Sequence, residues 1–148
     1  MNAFLQLSGL HGNSSDPYHI GWIELARLDL GPDRTARRRR GSPTDWVPPL
    51  ILQCAAVSGP HSLDLHVAND TGRPFASATL DVVGRPMGPS VAATRIQMSQ
   101  VRVTSYQLVR DPGLKKSYAN FTLVTDEYRF ERGVALELNF VHEALHAS

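Results

Sequence analysis

Hydrophobic and polar residues alternate along most of this chain. Leu5 and Leu7 alternate with polar neighbours near the start, and a second alternating run begins near Gly21. Successive side chains of a β-strand point to opposite faces, so this pattern predicts strands with one face on a core. We interpret residues 5–31 as the opening hairpin of an all-β protein.

The alternation changes phase inside two of the predicted strands. Ile23 and Leu25 share one face, whereas Leu28 and Leu30 fall on the other, so the phase flips near Ala26. Such a flip predicts a β-bulge or a strand that passes from one sheet to another. The same slip recurs in a later run, at Ile96 and Met98, then Val101 and Val103, then Tyr106 and Leu108.

Long strands that change phase favour a β-barrel or a sharply bent two-sheet sandwich. Further strands are predicted at Leu50–Val57, Phe75–Val83, 118–130 and 135–141, with breaks rich in proline and glycine at 84–89 and 111–113. The predicted fold class is therefore all-β, a barrel or two-sheet sandwich of about seven to nine strands with one short α-helix.

The one predicted helix covers residues 58–70. Ser58 can cap its first turn, in which a proline is tolerated, and Gly72 is placed to end it. Leu63 and Val67 lie four residues apart on one face of this helix. A lone helix in a chain of strands is expected to plug one end of a barrel.

Composition limits the number of domains and the class of protein but does not identify a partner. The 148 residues predict one domain over 1–148, and the 42% hydrophobic and 20% charged content is ordinary for a globular chain. A net charge of +1 gives no global attraction to nucleic acid or anionic membranes. Cys54, the single cysteine, lies in an apolar run and is expected to be a core residue rather than a nucleophile.

The N-terminus lacks the basic and apolar regions of a signal peptide, and no run is apolar for the ~20 residues of a membrane span. We therefore expect no membrane insertion. The protein is expected to start in the cytoplasm and, if it leaves the cell, to do so without a classical export signal.

Residues 32–45 break the alternating pattern and are rich in arginine. We interpret them as a loop that carries Arg34, Arg37, Arg38, Arg39 and Arg40. Their guanidinium groups could bind phosphates, which would make the protein a basic nucleic-acid-binding adaptor. The alternative is a solvated loop that orders against a partner protein. The absence of interleaved aromatic residues and the neutral remainder of the chain argue for the second interpretation.

The clearest catalytic pattern is H-E-x-x-H at the C-terminus. His142, Glu143 and His146 fit the zincin motif, in which two histidines on one helix face bind zinc and the glutamate activates water. The preceding Leu136, Leu138 and Phe140 alternate as in a strand, and no third ligand follows. We therefore expect no metal, although a zinc-dependent hydrolase stays an alternative function.

Other catalytic patterns are absent from the sequence, including G-x-S-x-G, a glycine-rich phosphate loop and C-x-x-C. Asp16 and His19 could form an acid and base pair. Beside Pro17, they are better explained as residues that fix a turn through side-chain hydrogen bonds to the backbone. We expect a protein that is not an enzyme and has no cofactor.

Residues 7–25 combine a glycine-rich turn, a histidine and a Trp-Ile-Glu triplet, at Gly9, Gly12, Ser14, His19, Trp22, Ile23 and Glu24. This combination resembles the start of the Hcp family, the haemolysin-coregulated tube proteins of bacterial type VI secretion, although Asn13 stands where the family usually has Glu. The helix start at 62–65, the run at 101–106 and the strand around Phe121, Leu123 and Tyr128 are also similar, in the same order.

The resemblance implies a barrel of two sheets with one helix, hexameric rings that stack into a tube, and effector cargo in the lumen. Type VI tip and sheath proteins are then further partners, and the protein is secreted with the tube. A heterologous interface must close such a ring. The resemblance also places residues 32–45 in the loop that reaches the adjacent ring, so the five arginines would belong to the stacking interface.

Overall fold

Eight strands and one helix make up most of residues 2–32, 48–84 and 92–136, which are the residues that the computed structural model describes. In chain order these are β1 (Asn2–Leu7), β2 (Ile23–Leu25), β3 (Arg27–Pro32), β4 (Leu50–Val57), α1 (His61–Thr71), β5 (Phe75–Val83), β6 (Ala92–Asp111), β7 (Lys116–Thr125) and β8 (Glu127–Ala135).

The strands form two antiparallel sheets that share β6. In the first sheet the order is β2-β1-β5-β6-β8, and in the second it is β6-β7-β4-β3. The N-terminal half of β6 lies between β5 and β8, and its C-terminal half pairs with β7. The predicted all-β class is confirmed, in the form of a two-sheet sandwich with one helix.

Both predicted phase flips are confirmed, and each is a point where the chain passes between the sheets. At Ala26 the chain leaves β2, which pairs with β1, and enters β3, which pairs with β4. In β6 the flip falls at Gln100, whose φ is 50°, and the register with β7 shifts again between Val103 and Ser105. These irregularities keep the apolar side chains of one strand on the core while the strand changes sheets.

The core lies between the two sheets. Each sheet contributes fully buried aliphatic or aromatic side chains, among them Leu5, Leu80 and Ile96 from the first and Leu52, Phe121 and Leu123 from the second. Cys54 is buried with them, and burial raises the pKa of its thiol far above the usual value, which keeps it protonated. The expectation that Cys54 is a core residue is confirmed.

The strand predicted over 118–130 is wrong, because the chain forms two strands there, β7 and β8, separated by Asp126. Thr125 fixes this bend. Its hydroxyl is buried, donates to the carbonyl oxygen of Ser99 at 2.7 Å and accepts from the N–H of Glu127 at 3.1 Å. A further strand was predicted over 135–141; β8 ends at Ala135, and residues from 137 onward lie outside the described residues.

The helix begins later than predicted. Pro60 already has helical dihedral angles and is the N-cap, so Ser58 lies too early in the chain to cap the helix. Gly72 ends the helix as predicted, with φ 69° and its N–H bonded to the carbonyl oxygen of Ala68. Within the described residues no helix is long and apolar enough to cross a membrane.

The helix face that carries Leu63 and Val67 is not the one that packs. Leu63 and Val67 are 69% and 48% exposed. His61, Leu65 and Ala68 face the core instead. These three positions form a second stripe at helical spacing, and the apolar content of the sequence alone does not distinguish it from the first.

We expect Thr125→Val to lower the free energy of unfolding by about 1 to 2 kcal/mol, because the isosteric side chain leaves two backbone groups at the β7–β8 bend without their partner. Chemical denaturation measures this. Thr79→Val, at a partly exposed position on β5, is the matched control and should change stability by less than about 0.5 kcal/mol. Equal effects of the two variants would contradict the role of Thr125.

Candidate functional site

The segment between β1 and β2, residues 8–22, folds back over the first sheet; we call it the opening loop. The first and last parts of the loop, its two arms, are joined by backbone hydrogen bonds. The N–H of Gly12 donates to the carbonyl oxygen of Gly21, that of Ser14 to Trp22, and that of Gly21 to Ser14. The loop covers the part of the outer face of the first sheet around Phe4, whereas Gln6 and Gln97 on the same face are exposed. Phe4 on that face is therefore buried, as is Leu5 on the core face.

Gly12 is the point of closest approach between the two arms. A Cβ at this position would lie 2.3 Å from the carbonyl oxygen of Trp22 and 2.5 Å from the backbone nitrogen of Ile23. No side chain fits at that distance. The loop also turns at Gly9 and Gly21, whose φ angles of 77° and 83° lie in the left-handed region that favours glycine.

His19 fastens the opening loop to the sheet. Its Nδ1 lies 2.7 Å from Oδ2 of Asp16 in the same loop, and its Nε2 lies 2.8 Å from Oδ2 of Asp81 on β5. The ring is fully buried. It stacks on Phe4 with ring centroids 4.2 Å apart and meets the edge of Trp22 at 4.7 Å.

Asp81 is held in turn by Arg95 on β6. Nε of Arg95 donates to Oδ1 at 2.7 Å, and Nη2 donates to Oδ2 at 2.9 Å. Burial on its own would raise the pKa of Asp81, but the hydrogen bonds from Arg95 and His19 and the attraction of both groups hold it below its usual value. Asp81 is therefore a buried, ionised carboxylate with two partners.

These groups lie in one row across the first sheet. Phe4 is directly opposite Asp81, Asp81 is opposite Arg95, and Arg95 is opposite Glu131 on β8. Asp81 and Arg95 were not identified from the sequence. The available signal was the position of Asp81 between the apolar residues Leu80 and Val82, where an unpaired charge would be costly.

The seven residues on which the sequence resemblance depends lie together, in the opening loop or in β2. Ser14, His19 and Ile23 are buried, whereas Glu24 is exposed. The turn interpretation is confirmed for Asp16, whose carboxylate accepts from the Tyr18 N–H and whose carbonyl oxygen accepts from the His19 N–H. It is wrong for His19, whose ring bonds two carboxylates rather than the backbone.

The other predicted residues lie elsewhere. Residues 33–47 and 137–148 are outside the described residues, and with them lie Arg34, Arg37, Arg38, Arg39, Arg40, His142, Glu143 and His146. The stacking, nucleic-acid and zinc interpretations of these residues stay predictions. Within residues 2–32, 48–84 and 92–136, no three His, Cys, Asp or Glu side chains are grouped so that they could hold a metal ion.

A second buried histidine, His61, begins α1 and was not identified from the sequence. Burial lowers the pKa of His61 below its usual value, and the Asp64 carboxylate and the Val57 backbone oppose this shift. His61 is therefore neutral in the folded protein near neutral pH.

Comparison by sequence finds neither a family model nor a curated protein that matches the chain. Comparison of structures finds close likeness. A type six secretion system protein superposes with a TM-score of 0.70 at 18% identity over 88% of this chain and 83% of that chain. Hcp1 from Salmonella typhimurium gives 0.67 at 18% identity over 90% and 86%. The secreted protein Hcp3 from Pseudomonas aeruginosa gives 0.64 at 7% identity over 90% and 94%.

The class is thus a β-sandwich of two antiparallel sheets that share one long strand, closed on one face by its own opening loop. This is the Hcp fold, and the chain has it over most of its length.

We expect Gly12→Ala to destabilise the protein by about 1 to 3 kcal/mol, because the added methyl group forces the two arms of the opening loop apart. Chemical denaturation measures this. Gly31→Ala is the matched control, since a Cβ there meets no atom within 4 Å, and it should stay within about 1 kcal/mol of the wild type. A Gly12→Ala protein as stable as Gly31→Ala would contradict the close approach.

We expect His61 to make stability fall in mild acid. Above the ordinary histidine pKa of 6.5 neither state binds the proton. As the pH falls below 6.5, the unfolded chain binds a proton at His61 that the folded protein does not, so the unfolded state gains stability until the lower pKa of the folded state is reached. The measurement is the free energy of unfolding at about pH 7 and about pH 5.

His61→Phe should reduce the loss of stability between these two conditions, whatever its effect on stability at neutral pH. His11→Gln, at an exposed position, is the control and should keep the wild-type loss. An unchanged loss in His61→Phe would show that His61 takes up its proton equally in both states.

Proposed function

We propose that this protein is a structural subunit of the type VI secretion inner tube, which assembles as hexameric rings that stack and carry effectors in the lumen. The observation that carries the proposal is the Hcp fold, matched over about nine-tenths of the chain. The resemblance of residues 7–25 supports it independently, because it rests on residue types rather than on the path of the backbone.

Unpaired strand edges support assembly. Among the described residues, β3 pairs only with β4, β8 pairs only with β6, and the C-terminal half of β6 pairs only with β7. Each leaves a row of backbone N–H and C=O groups without a strand partner. Proteins normally cover or pair such edges, and a ring of identical subunits does so by placing each edge against a neighbour.

The positions of these edges suit a ring rather than a simple dimer. A ring is closed by a heterologous interface, in which two different surfaces of the subunit meet. β3 ends the second sheet and β8 lies at the side of the first, so the chain has two unlike edges to offer.

Exposed apolar side chains accompany these edges. Leu30 on β3 is 41% exposed and Phe130 on β8 is 50% exposed. The β6–β7 hairpin adds Leu108, Val109 and Leu114. Large exposed apolar groups of this kind are expected at surfaces that meet another subunit.

The remainder of the proposal follows the family. Residues 1–148 form one tube-subunit domain, and the arginines of residues 32–45 contact the adjacent ring. Type VI tip and sheath proteins and effectors are the partners. The protein acts without catalysis, is made in the cytoplasm and is exported with the tube without a signal peptide.

We expect the purified protein to form closed rings, visible by negative-stain electron microscopy and counted as hexamers by native mass spectrometry. Leu30→Lys should raise the concentration needed for rings by about tenfold or more, a loss of about 1.4 kcal/mol of association free energy, because it places a charge at the β3 edge.

Leu63→Lys is the matched control: it makes the same chemical change on the exposed face of α1 rather than on β3, and should leave ring formation intact. A wild-type protein that stays monomeric at high concentration would contradict the proposed function. Equal loss of rings in both variants would contradict only the role of the β3 edge.

A further inference from the structure

Both ring nitrogens of His19 face carboxylate oxygens. Nδ1 lies 2.7 Å from Asp16 Oδ2, and Nε2 lies 2.8 Å from Asp81 Oδ2. A neutral imidazole has one N–H donor and one acceptor nitrogen, so it can donate to only one of the two carboxylates. The other nitrogen would direct its lone pair at an oxygen lone pair. Both hydrogen bonds form together only when each nitrogen carries a proton.

Neither carboxylate is free to supply the missing proton. Asp81 accepts two hydrogen bonds from Arg95 in addition to the one from His19, and its pKa is held below the usual value. Asp16 Oδ2 also accepts from the N–H of Tyr18 at 3.1 Å. Both groups thus use their oxygens as acceptors, as ionised carboxylates do.

The charges are balanced when His19 is a cation. Along the contacts the groups are Asp16 (negative), His19 (positive), Asp81 (negative) and Arg95 (positive), so the signs alternate and the sum is zero. Loss of the His19 proton would leave a net negative charge at a site where the His19 and Asp81 side chains are fully buried. Buried charges without a partner are costly.

We propose that the opening loop is a proton-locked clasp, which stays closed over the first sheet only while His19 carries a proton on both ring nitrogens. The clasp joins the loop, β5 and β6 through one imidazolium ring. When that proton is lost, the ring keeps a hydrogen bond either to Asp81 on β5 or to Asp16 within the loop. The lone pair of the other nitrogen then faces a carboxylate, which destabilises the closed arrangement.

The ring packs against two aromatic side chains that carry no charge: Phe4 stacks on it, and Trp22 meets it at a near-perpendicular angle. Arg95 contacts Asp81, and its pKa is raised chiefly by the hydrogen bond to Asp81, with a further contribution from Glu131. His19 is therefore the group that joins the loop to this charged pair.

Nitrogen-edited NMR of the histidine rings in the folded wild-type protein tests the protonation state directly. We expect both nitrogens of His19 to be protonated at about pH 7. A His19 ring with one unprotonated nitrogen at this pH would overturn the proposal, since the proton would then be on a carboxyl group or absent.

Hydrogen exchange tests the clasp. The amides of Gly12, Ser14 and Trp22 are bonded within the loop, and the core amides of β1 and β5 correct for the intrinsic change of exchange rate with pH. Once His19 begins to lose its proton, protection of the loop amides relative to the core should fall by about tenfold for each further pH unit, as one linked proton requires. Constant relative protection up to about pH 9 would overturn the proposal.

Asp16→Asn provides the sharper test. The Asn amide nitrogen can donate to Nδ1 of a neutral ring, at the cost of the hydrogen bond that Asp16 Oδ2 accepts from the Tyr18 N–H, while Nε2–H still donates to Asp81. The clasp then no longer needs the second proton. Asp16 is 30% exposed, and the variant should fold. Its loop protection should change by less than about twofold over the same pH range. Asp29→Asn, at an exposed position on β3, should retain the wild-type pH dependence. If Asp16→Asn keeps the wild-type pH dependence, the proposal is wrong.

Discussion

β6 belongs to both sheets, and the packing of the whole sandwich depends on how this strand crosses from one sheet to the other. A strand of 20 residues cannot stay straight and keep apolar side chains on a core that lies between two sheets of different direction. β6 meets this constraint with a left-handed residue at Gln100 and a register shift near Thr104. Thr125, at the end of β7, stabilises this part of β6, because its hydroxyl donates to the carbonyl oxygen of Ser99, next to Gln100.

The opening loop meets a second constraint, the need to cover an apolar side chain on the outer face of the first sheet. The first sheet has an outer face that no other sheet covers, and it carries Phe4 next to the charged pair Asp81 and Arg95. Covering Phe4 with a loop also desolvates Asp81. His19 makes this possible, because one ring stacks on Phe4 and at the same time supplies Asp81 with a hydrogen bond. The glycines of the loop let its backbone approach closely enough for the ring to reach.

The sequence predicts those features that local periodicity determines. β4 and β5 were predicted with their observed bounds, and the phase flips at Ala26 and in β6 were visible because alternation is strict wherever one face is buried. The packed face of α1 could not be predicted, since Leu63 and Val67 are as apolar as Leu65 and Ala68, and only tertiary packing selects between the two stripes. The site could be predicted only in part: Asp16 and His19 lie in one turn, but Asp81 is 62 residues from His19, and no local pattern joins them.

The division of the surface gives the proposed assembly a physical basis. Around Phe4 and Asp81, the outer face of the first sheet is covered by the opening loop, whose polar groups are bonded to Asp81 and to each other. The second sheet has a different outer face, with Gln53, Asn120, Thr122 and Ser105 in neighbouring strands, and these uncharged polar side chains are stable in water without a cover. Strand edges remain, and no side chain can satisfy a row of backbone groups as well as another strand does. Among the described residues, strand edges therefore remain to be paired, and the proposed ring of identical subunits is one way to pair them.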